Sequence, residues 1–386
     1  MVATNAHTVR TNRPADSAIR LFLMINTFET GGSERQFIML ADALSESTFQ
    51  IHLGCISRRG PLADQVGDVF QFPLGGSLFG WRSLFTRFHL SRHLCNRHVQ
   101  VAHAFDFYTN LTLIPAARLS RVPVVIGSHR QLGDLMTPAK FRAQTAAFHW
   151  CHAVTCNSQA AADRLAEAGV PREKLAIIGN ALPPAAFEIE PAALPRRPET
   201  LRVGMVARMN AHYKNHAGFL RIAAQIHDRM PGVEFLLVGD GPLRSELEQQ
   251  TAQLGLEKHT IFLGDRRDIA AVLASMDVAV LTSDSESLSN AILEAMAASL
   301  PVVAYNVGGN CELVNEQRGI LIPANDENSF ANAIHRLLSD AKLRKEQGNN
   351  GRRFVQENFS LDHVIRRYED LYLSLLEKKG RRKLTV

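Results

Sequence analysis

The sequence has no apolar run long enough to cross a bilayer, because charge, glycine or proline interrupts each one well short of ~18 residues. That excludes a helical membrane span. The first eighteen residues are polar, include Pro14 and hold no apolar core of a secretory signal, so the expected location is the cytoplasm. Cysteine is sparse: there are five, Cys55, Cys95, Cys151, Cys156 and Cys311, an odd number without metal-ligand spacing. This argues against a disulfide framework and a zinc site, and for reduced thiols. The Gly-x-Gly-x-x-Gly fingerprint of dinucleotide binding is missing. No RNA-binding or helix-turn-helix motif accompanies the net charge of +5, so no nucleic acid is expected as a partner. The mild basic balance favours nucleotide diphosphates, lipid phosphates or an anionic membrane face.

What is present is a chain of 386 residues, 46% hydrophobic, which suits two domains. Apolar strands alternate with amphipathic segments twice. Strands are predicted at Ile19–Ile25, Gln50–Cys55, Val99–Ala104, Val122–Ile126, Ala153–Cys156 and Leu175–Ile178. The second series is Leu201–Ala207, Val233–Val238, Thr260–Leu263, Asp277–Leu281, Pro301–Ala304 and Gly319–Ile322. Strand–helix alternation of this kind implies α/β architecture with parallel, doubly wound sheets. Between the two series, Pro183 to Pro198 holds five of the sixteen prolines, and proline extends neither a helix nor a central strand. The expected organisation is a flexible N-terminus (1–18), a first α/β domain (19–182), a proline-rich linker (183–199), a second α/β domain (200–360) and a final helix with a basic tail (361–386).

The most informative stretch runs from Ser283 to Ala304. A loop of small and acidic residues follows one strand, an alanine-rich helix follows the loop, and Pro301 opens the next strand. Open α/β sheets bind ligands at the carboxyl ends of their strands, and a helix starting there aims backbone N–H groups and its positive dipole end at an anion. Glu286 lies in the loop and Glu294 eight residues on, so they should touch different parts of a ligand. Upstream, Arg208 stands just beyond a strand and Lys214 at the entrance to a helix. Two such cations can neutralise a diphosphate, although an arginine and a lysine after a strand are also ordinary surface charge. Glycine pairs occur at Gly31-Gly32 and Gly308-Gly309, the latter followed by Glu312; either pair is also explained as a helix-entry turn.

Glu286-x7-Glu294 with Ala-Met-Ala-Ala-x-x-Pro-Val-Val-Ala resembles the donor-site signature of retaining glycosyltransferases of family 4. The resemblance covers the chain from about Ile19 to Lys379 and implies the GT-B fold, two facing Rossmann-like doubly wound domains with a cleft between them. It assigns acceptor binding to the first domain and the nucleotide sugar to the second. By resemblance, Arg208 and Lys214 hold the diphosphate, Glu286 the donor-sugar hydroxyls and Glu294 the ribose. Gly31 and Gly32 form the first glycine loop, Arg266 lies at the base, and the backbone of Ser287, Leu288, Ser289 and Asn290 faces the phosphates. His129, after the strand Val122–Ile126, matches a histidine that contacts the donor sugar. Asn157-Ser158 reads as a helix cap, and Asn180-Ala181 stands where the family has a structural Asn-Gly turn.

The implied activity is transfer of a sugar from a nucleotide diphosphate sugar, UDP-linked by expectation, to an acceptor hydroxyl with retention. No metal and no cofactor are expected, because two cations and a helix N-terminus already serve the diphosphate. A sugar-nucleotide epimerase, a phosphorylase or a non-catalytic nucleotide-sugar binder could use the same fold. For the acceptor, Leu78 to Leu94 interleaves aromatic and basic residues. On a helix, Trp81, Leu84, Phe85, Phe88 and Leu94 would share one face, with Arg82, Arg87 and Arg92 away from it. Such a face either packs on its own sheet or lies in an anionic membrane interface. The second reading suits a peripheral enzyme at the inner face of the cytoplasmic membrane, extending a lipid-linked saccharide for a surface polysaccharide.

Overall fold

The structure, a computed structural model, describes residues 18–45, 48–195, 197 and 199–384. The segment expected to be a flexible N-terminus, apart from Ala18, and parts of the linker and basic tail lie outside the described residues. In chain order the first series is β1 (Ile19–Ile25), α1 (Gly32–Ser45), β2 (Phe49–Cys55), β3 (Val69–Gln71), α2 (Trp81–Asn96), β4 (Val101–Ala104), α3 (Phe107–Leu119), β5 (Val124–His129), α4 (Pro138–Phe148), β6 (Ala153–Cys156), α5 (Gln159–Glu167) and β7 (Leu175–Ile177). The second is β8 (Arg202–Val206), α6 (His216–Arg229), β9 (Glu234–Val238), α7 (Arg244–Gln253), β10 (Thr260–Phe262), α8 (Ile269–Leu273), β11 (Val278–Leu281), α9 (Asn290–Ala297), β12 (Val302–Tyr305), α10 (Asn310–Leu313) and β13 (Gly319–Ile322). Three helices follow: α11 (Glu327–Ser339), α12 (Ala341–Phe359) and α13 (Leu361–Leu384).

The strands form a seven-stranded sheet in the order β3-β2-β1-β4-β5-β6-β7 and a six-stranded sheet in the order β10-β9-β8-β11-β12-β13. Both are doubly wound, with the order reversing beside β1 and β8. The inner strands are apolar on both faces; Leu21 to Met24 and Val302 to Ala304 are all but inaccessible, as helices on two sides of a parallel sheet require. By their internal contacts the residues divide into two compact units. Of the described residues, one holds those up to Gly127, Trp150–His152 and those from Tyr372 on; the other holds those in Ser128–His149 and Ala153–Leu371. Within the first unit, Tyr372 is buried against Phe49, and its hydroxyl lies 2.8 Å from His103 Nδ1.

The structure departs from the expectations at four points. The edge strand β3 has only three residues, too few for an alternation to show in sequence. His129 does not follow its strand but ends it. In α2, Leu94 is buried with Ser83, Leu90 and Ser91 and belongs to the inward face, opposite Trp81 and Phe85. Arg87 turns inward as well: its guanidinium donates to the carbonyls of Leu111 and Leu78 and to Ser83 Oγ. A long side chain with a satisfied head can lie on the buried side of a helix that its charge alone would place outside.

The helix carrying Glu294, α9, is fixed from behind by α12. A Cβ on Gly348 would collide with the carbonyl oxygen of Ser299, in the turn that ends α9, and one on Gly351 would meet Met296 at 3.1 Å. Glycine in the middle of a helix ordinarily costs about 1 kcal/mol relative to alanine. Here the close approach should reverse the sign: Gly348→Ala is expected to lower stability by ~1–3 kcal/mol, the usual cost of overpacking. A thermal melt checks this, and a variant as stable as the parent or more so would refute the tight α9–α12 contact.

Candidate active site

Most of the residues singled out in the sequence belong to the second unit, with Arg208, Lys214 and Glu286 on the loops after β8 and β11. After β8, the backbone of Ala207 and Met209 bonds to Val238 and Asp240, which leaves Arg208 exposed. It makes no ion pair with a described residue. Lys214 sits in the short turn His212–Lys214, which ends at Asn215 in the left-handed conformation (φ 54°) as the N-cap of α6. The exit of β11 pins this turn: Thr282 Oγ1 donates to the carbonyl of Asn215 at 2.8 Å, Asp284 N to the carbonyl of Tyr213 at 2.7 Å, and Asn215 Nδ2 to Asp284 Oδ1 at 3.2 Å. Burial pushes the Asp284 carboxyl above its usual range, with the Asn215 bond acting the other way.

So held, Lys214 Nζ lies 2.6 Å from Glu286 Oε1, and the two side chains are only 20% and 10% exposed. The lysine of the expected phosphate pair and the glutamate of the expected sugar contact are therefore direct neighbours, a relation that their separation of 72 residues hides in the sequence. Glu286 is aimed by the backbone behind it. Gly309 N donates to the carbonyl of Glu286 at 3.1 Å, and a Cβ on Gly308 or Gly309 would collide with the carbonyls of Glu286 or Ser287. The second glycine pair thus serves close backbone approach, not only helix entry. Glu294 lies in the second turn of α9, half-buried, and Ser289 caps that helix by accepting from Ile292 N.

Ser287 and Leu288 are held from a second side. Ser287 Oγ donates to Asn157 Oδ1 at 2.6 Å and lies 3.2 Å from Ser158 Oγ, which also caps α5. Asn180 Nδ2 donates to Asn290 Oδ1 at 2.6 Å and to the carbonyl of Leu288 at 3.3 Å, while Asn180 Oδ1 accepts from Arg130 at 2.6 Å. Asn157, Ser158 and Asn180 therefore do more than cap and turn. Glu312, the acid after the glycine pair, accepts from the backbone N–H groups of Gln159 and Ala160 at the start of α5. These last partners are more than a hundred residues apart in sequence, and no local pattern announces them.

His129 is buried, with Nδ1 2.8 Å from Gln144 Nε2. With the amide donating, Nδ1 accepts and the neutral ring carries its proton on Nε2. Burial pushes its pKa down to about 4; the Leu132 backbone acts the other way, and the charge of Arg164 adds to the lowering. Two further expected donor elements have partners of their own. Arg266 forms a fork with the carboxylate of its neighbour Asp268 at 2.8 and 2.5 Å. Gly31 and Gly32 belong to the first unit, at the start of α1, where the Glu34 carboxylate lies against Gly31. Among the described residues no group of three or more His, Cys, Asp or Glu is placed to hold a metal.

Comparison with known proteins decides the family. The profile described as "Glycosyl transferases group 1" matches residues 200–340, and that described as "Glycosyltransferase Family 4" matches 30–185. The chain is a family 4 glycosyltransferase. Among curated proteins, this glycosyltransferase is 27% identical over 372 residues to the UDP-Gal:alpha-D-GlcNAc-diphosphoundecaprenol alpha-1,3-galactosyltransferase of Escherichia coli, covering 90% of this chain and 95% of that one. It is 30% identical to the 2-deoxystreptamine glucosyltransferase of Streptomyces kanamyceticus over 210 residues, 52% of this chain and 54% of that one. Among solved structures, HepE of Anabaena in complex with UDP superposes with a TM-score of 0.80 at 22% identity, over 92% of this chain and 100% of that one. The shared fold is GT-B, two Rossmann-like α/β domains, as the sequence implied. Both curated relatives are transferases, and neither supports the epimerase reading.

The His129 geometry has a pH consequence. A ring whose folded pKa lies below its unfolded value near 6.5 contributes stability that is complete above that value and is lost as pH falls towards 4. The stability difference between wild type and His129→Gln should therefore shift by about 3 kcal/mol against the wild type between pH 7.5 and 4. Denaturation at both pH values measures it, and a difference that stays constant would mean that the ring is not buried neutral.

Proposed function

We propose that this glycosyltransferase moves a sugar from a UDP-linked donor to a hydroxyl of a lipid-linked saccharide, retaining anomeric configuration and needing no metal. The observation that carries the reading is the half-buried Lys214–Glu286 pair, on the loops after β8 and β11 that also carry exposed Arg208 and lead into α9. As the glycosidic bond breaks, negative charge grows on the leaving diphosphate. Arg208 can meet it with a flat fork, Lys214 with a point charge, and the 287–290 backbone with N–H groups; such fixed electrostatic stabilisation is commonly the largest catalytic contribution. Glu286, beside Lys214, takes the sugar hydroxyls next to the phosphate; Glu294, further along α9, takes the ribose. In this reading His129 serves the donor sugar and Arg266 the base, Gly31 and Gly32 keep the glycine-loop role that the resemblance gives them, and residues 19–182 serve the acceptor and 200–360 the nucleotide sugar. Retention is what the resemblance to retaining enzymes implies, and the UDP donor and lipid-linked acceptor are drawn from the names of the relatives.

Transfer assays in EDTA test this. Product should form with the donor's anomeric configuration; Glu286→Ala should lower turnover ten-fold or more, about 1.4 kcal/mol in the barrier, whereas Glu294→Ala should chiefly raise the donor KM. Activity lost in EDTA and restored by manganese, an inverted product or an unimpaired Glu286→Ala would each overturn its part of the reading.

We further propose that the enzyme works on the inner face of the cytoplasmic membrane and docks through α2. No described helix is long and apolar enough to cross a membrane. Yet Phe79, Trp81 and Phe85 are 77%, 88% and 66% exposed, joined by Leu84 and Phe88. A groove of about 490 Å³ runs beside them, lined by Pro73, Gly75, Trp81, Arg82, Phe85 and Thr86. No acidic residue occurs between Asp68 and Asp106, a stretch that contains Arg82, Arg87, Arg92 and Arg97. Aromatics beside exposed Arg82 and Arg92 suit the boundary layer of an anionic bilayer. Co-sedimentation should show binding to anionic vesicles that falls with salt and with a Trp81→Ala, Arg82→Ala, Arg92→Ala variant; Arg87 is left intact because it holds the 78–83 turn. Equal partitioning on neutral and anionic vesicles, unchanged in the variant, would leave a soluble acceptor as the answer.

A further inference from the structure

We infer that Asn180, held by Arg130, is a positioning residue for donor binding: it sets the 288–290 backbone at the entrance of α9 without touching the donor. The inference rests on the donor-site reading above. Asn180 is 4% exposed, and both ends of its amide are committed. Its oxygen accepts from Arg130 Nη2 at 2.6 Å, and its nitrogen donates to Asn290 Oδ1 at 2.6 Å and to the carbonyl of Leu288 at 3.3 Å. Asn290 is the first residue of α9, and Leu288 lies in the segment whose N–H groups are to face the diphosphate.

The anchor is itself tied to its surroundings. Arg130 Nη1 reaches the hydroxyl of Tyr368 at 3.4 Å. Two residues beyond Asn180, Leu182 N donates to the carbonyl of Phe359 at 2.8 Å and the Leu182 carbonyl accepts from Leu361 N at 3.0 Å, which ties the segment to the junction of α12 and α13. From its other side the loop is held by Ser287 Oγ on Asn157. Ser287 and Leu288 are thus gripped by different elements, one residue apart. A backbone that must present N–H groups to a phosphate gains nothing from them if it can swing, so pre-orientation is read out as affinity. Arg130 also follows His129 directly, so the same anchor serves the strand end that carries the histidine.

The alternative is a buried polar cluster that serves stability alone. Asn180→Asp separates the two, because aspartate keeps an oxygen for Arg130 but cannot donate to Asn290 or Leu288. The expected result is a melting temperature close to wild type with UDP affinity, by calorimetry, and donor KM both weakened ten-fold or more, and kcat changed less. Asn290→Ala should weaken UDP binding similarly, and the double variant should be no worse than either single one, since both interrupt the same contact. Wild-type UDP affinity and KM in Asn180→Asp and Asn290→Ala, or fully additive losses in the double variant, would overturn the inference. Arg208→Ala is measured alongside: if it binds UDP as wild type does, the donor-site reading itself fails and the inference with it, whereas its failure to bind while the Asn180 variants bind normally rejects the positioning role only.

Discussion

The arrangement depends on one ion pair, Lys214 with Glu286, kept mostly out of water at 2.6 Å. Taking either charge out of solvent alone would cost several kcal/mol, and removing one partner of a buried pair typically costs ~3–5 kcal/mol because the other is left uncompensated. The pair can exist only where backbone from distant parts of the chain is held still. Thr282, Asp284 and Asn215 hold the lysine's turn, and Gly308 and Gly309 admit the carbonyls of the glutamate's loop. Neither residue could be placed by its own neighbours in sequence.

A pair of this kind suits a ligand with a phosphate next to a polyol. The ammonium is a compact charge that a phosphate oxygen can share, and the carboxylate is an acceptor that sugar hydroxyls can use. Arg208 differs in having no described acid paired with it, so its charge is uncommitted. The opposite holds for Arg266, whose fork is filled by Asp268, and for the start of α5, whose N–H groups are filled by Glu312 and Ser158. Among these groups, the cation without a described acid partner is the one just after β8.

The second unit joins these loops to elements of the first sheet: β6, β7 and the last residues of β5 share it with the whole second sheet. Asn157, Ser158 and Asn180 lie just past β6 and β7, and their side chains reach the loop after β11. The loop after β11 is accordingly shaped by residues that sequence order assigns to the other half of the chain. On the first unit, α2 shows the complementary pattern, an inward face closed by Leu90, Leu94 and the capped guanidinium of Arg87, and an outward face of aromatics.

The sequence alone determined the doubly wound α/β architecture, because burial on both faces of a strand and on one face of a helix leaves local periodicities of composition. It also singled out Arg208, Lys214, Glu286 and Glu294 as candidates, since a loop at a strand's carboxyl end has a compact local signature. Tertiary structure decided the rest. The three-residue strand β3 is too short to carry a period, and the inward turn of Arg87 follows from carbonyls that only the folded chain offers. The pairings of Lys214 with Glu286, Ser287 with Asn157, Asn290 with Asn180 and Glu312 with the start of α5 join residues 72 to 153 positions apart. A hydrogen bond has a range of a few ångströms, and its energy depends on where two backbones have been brought by the core; the identity of each residue says what it can bond, but only the fold says what lies within reach.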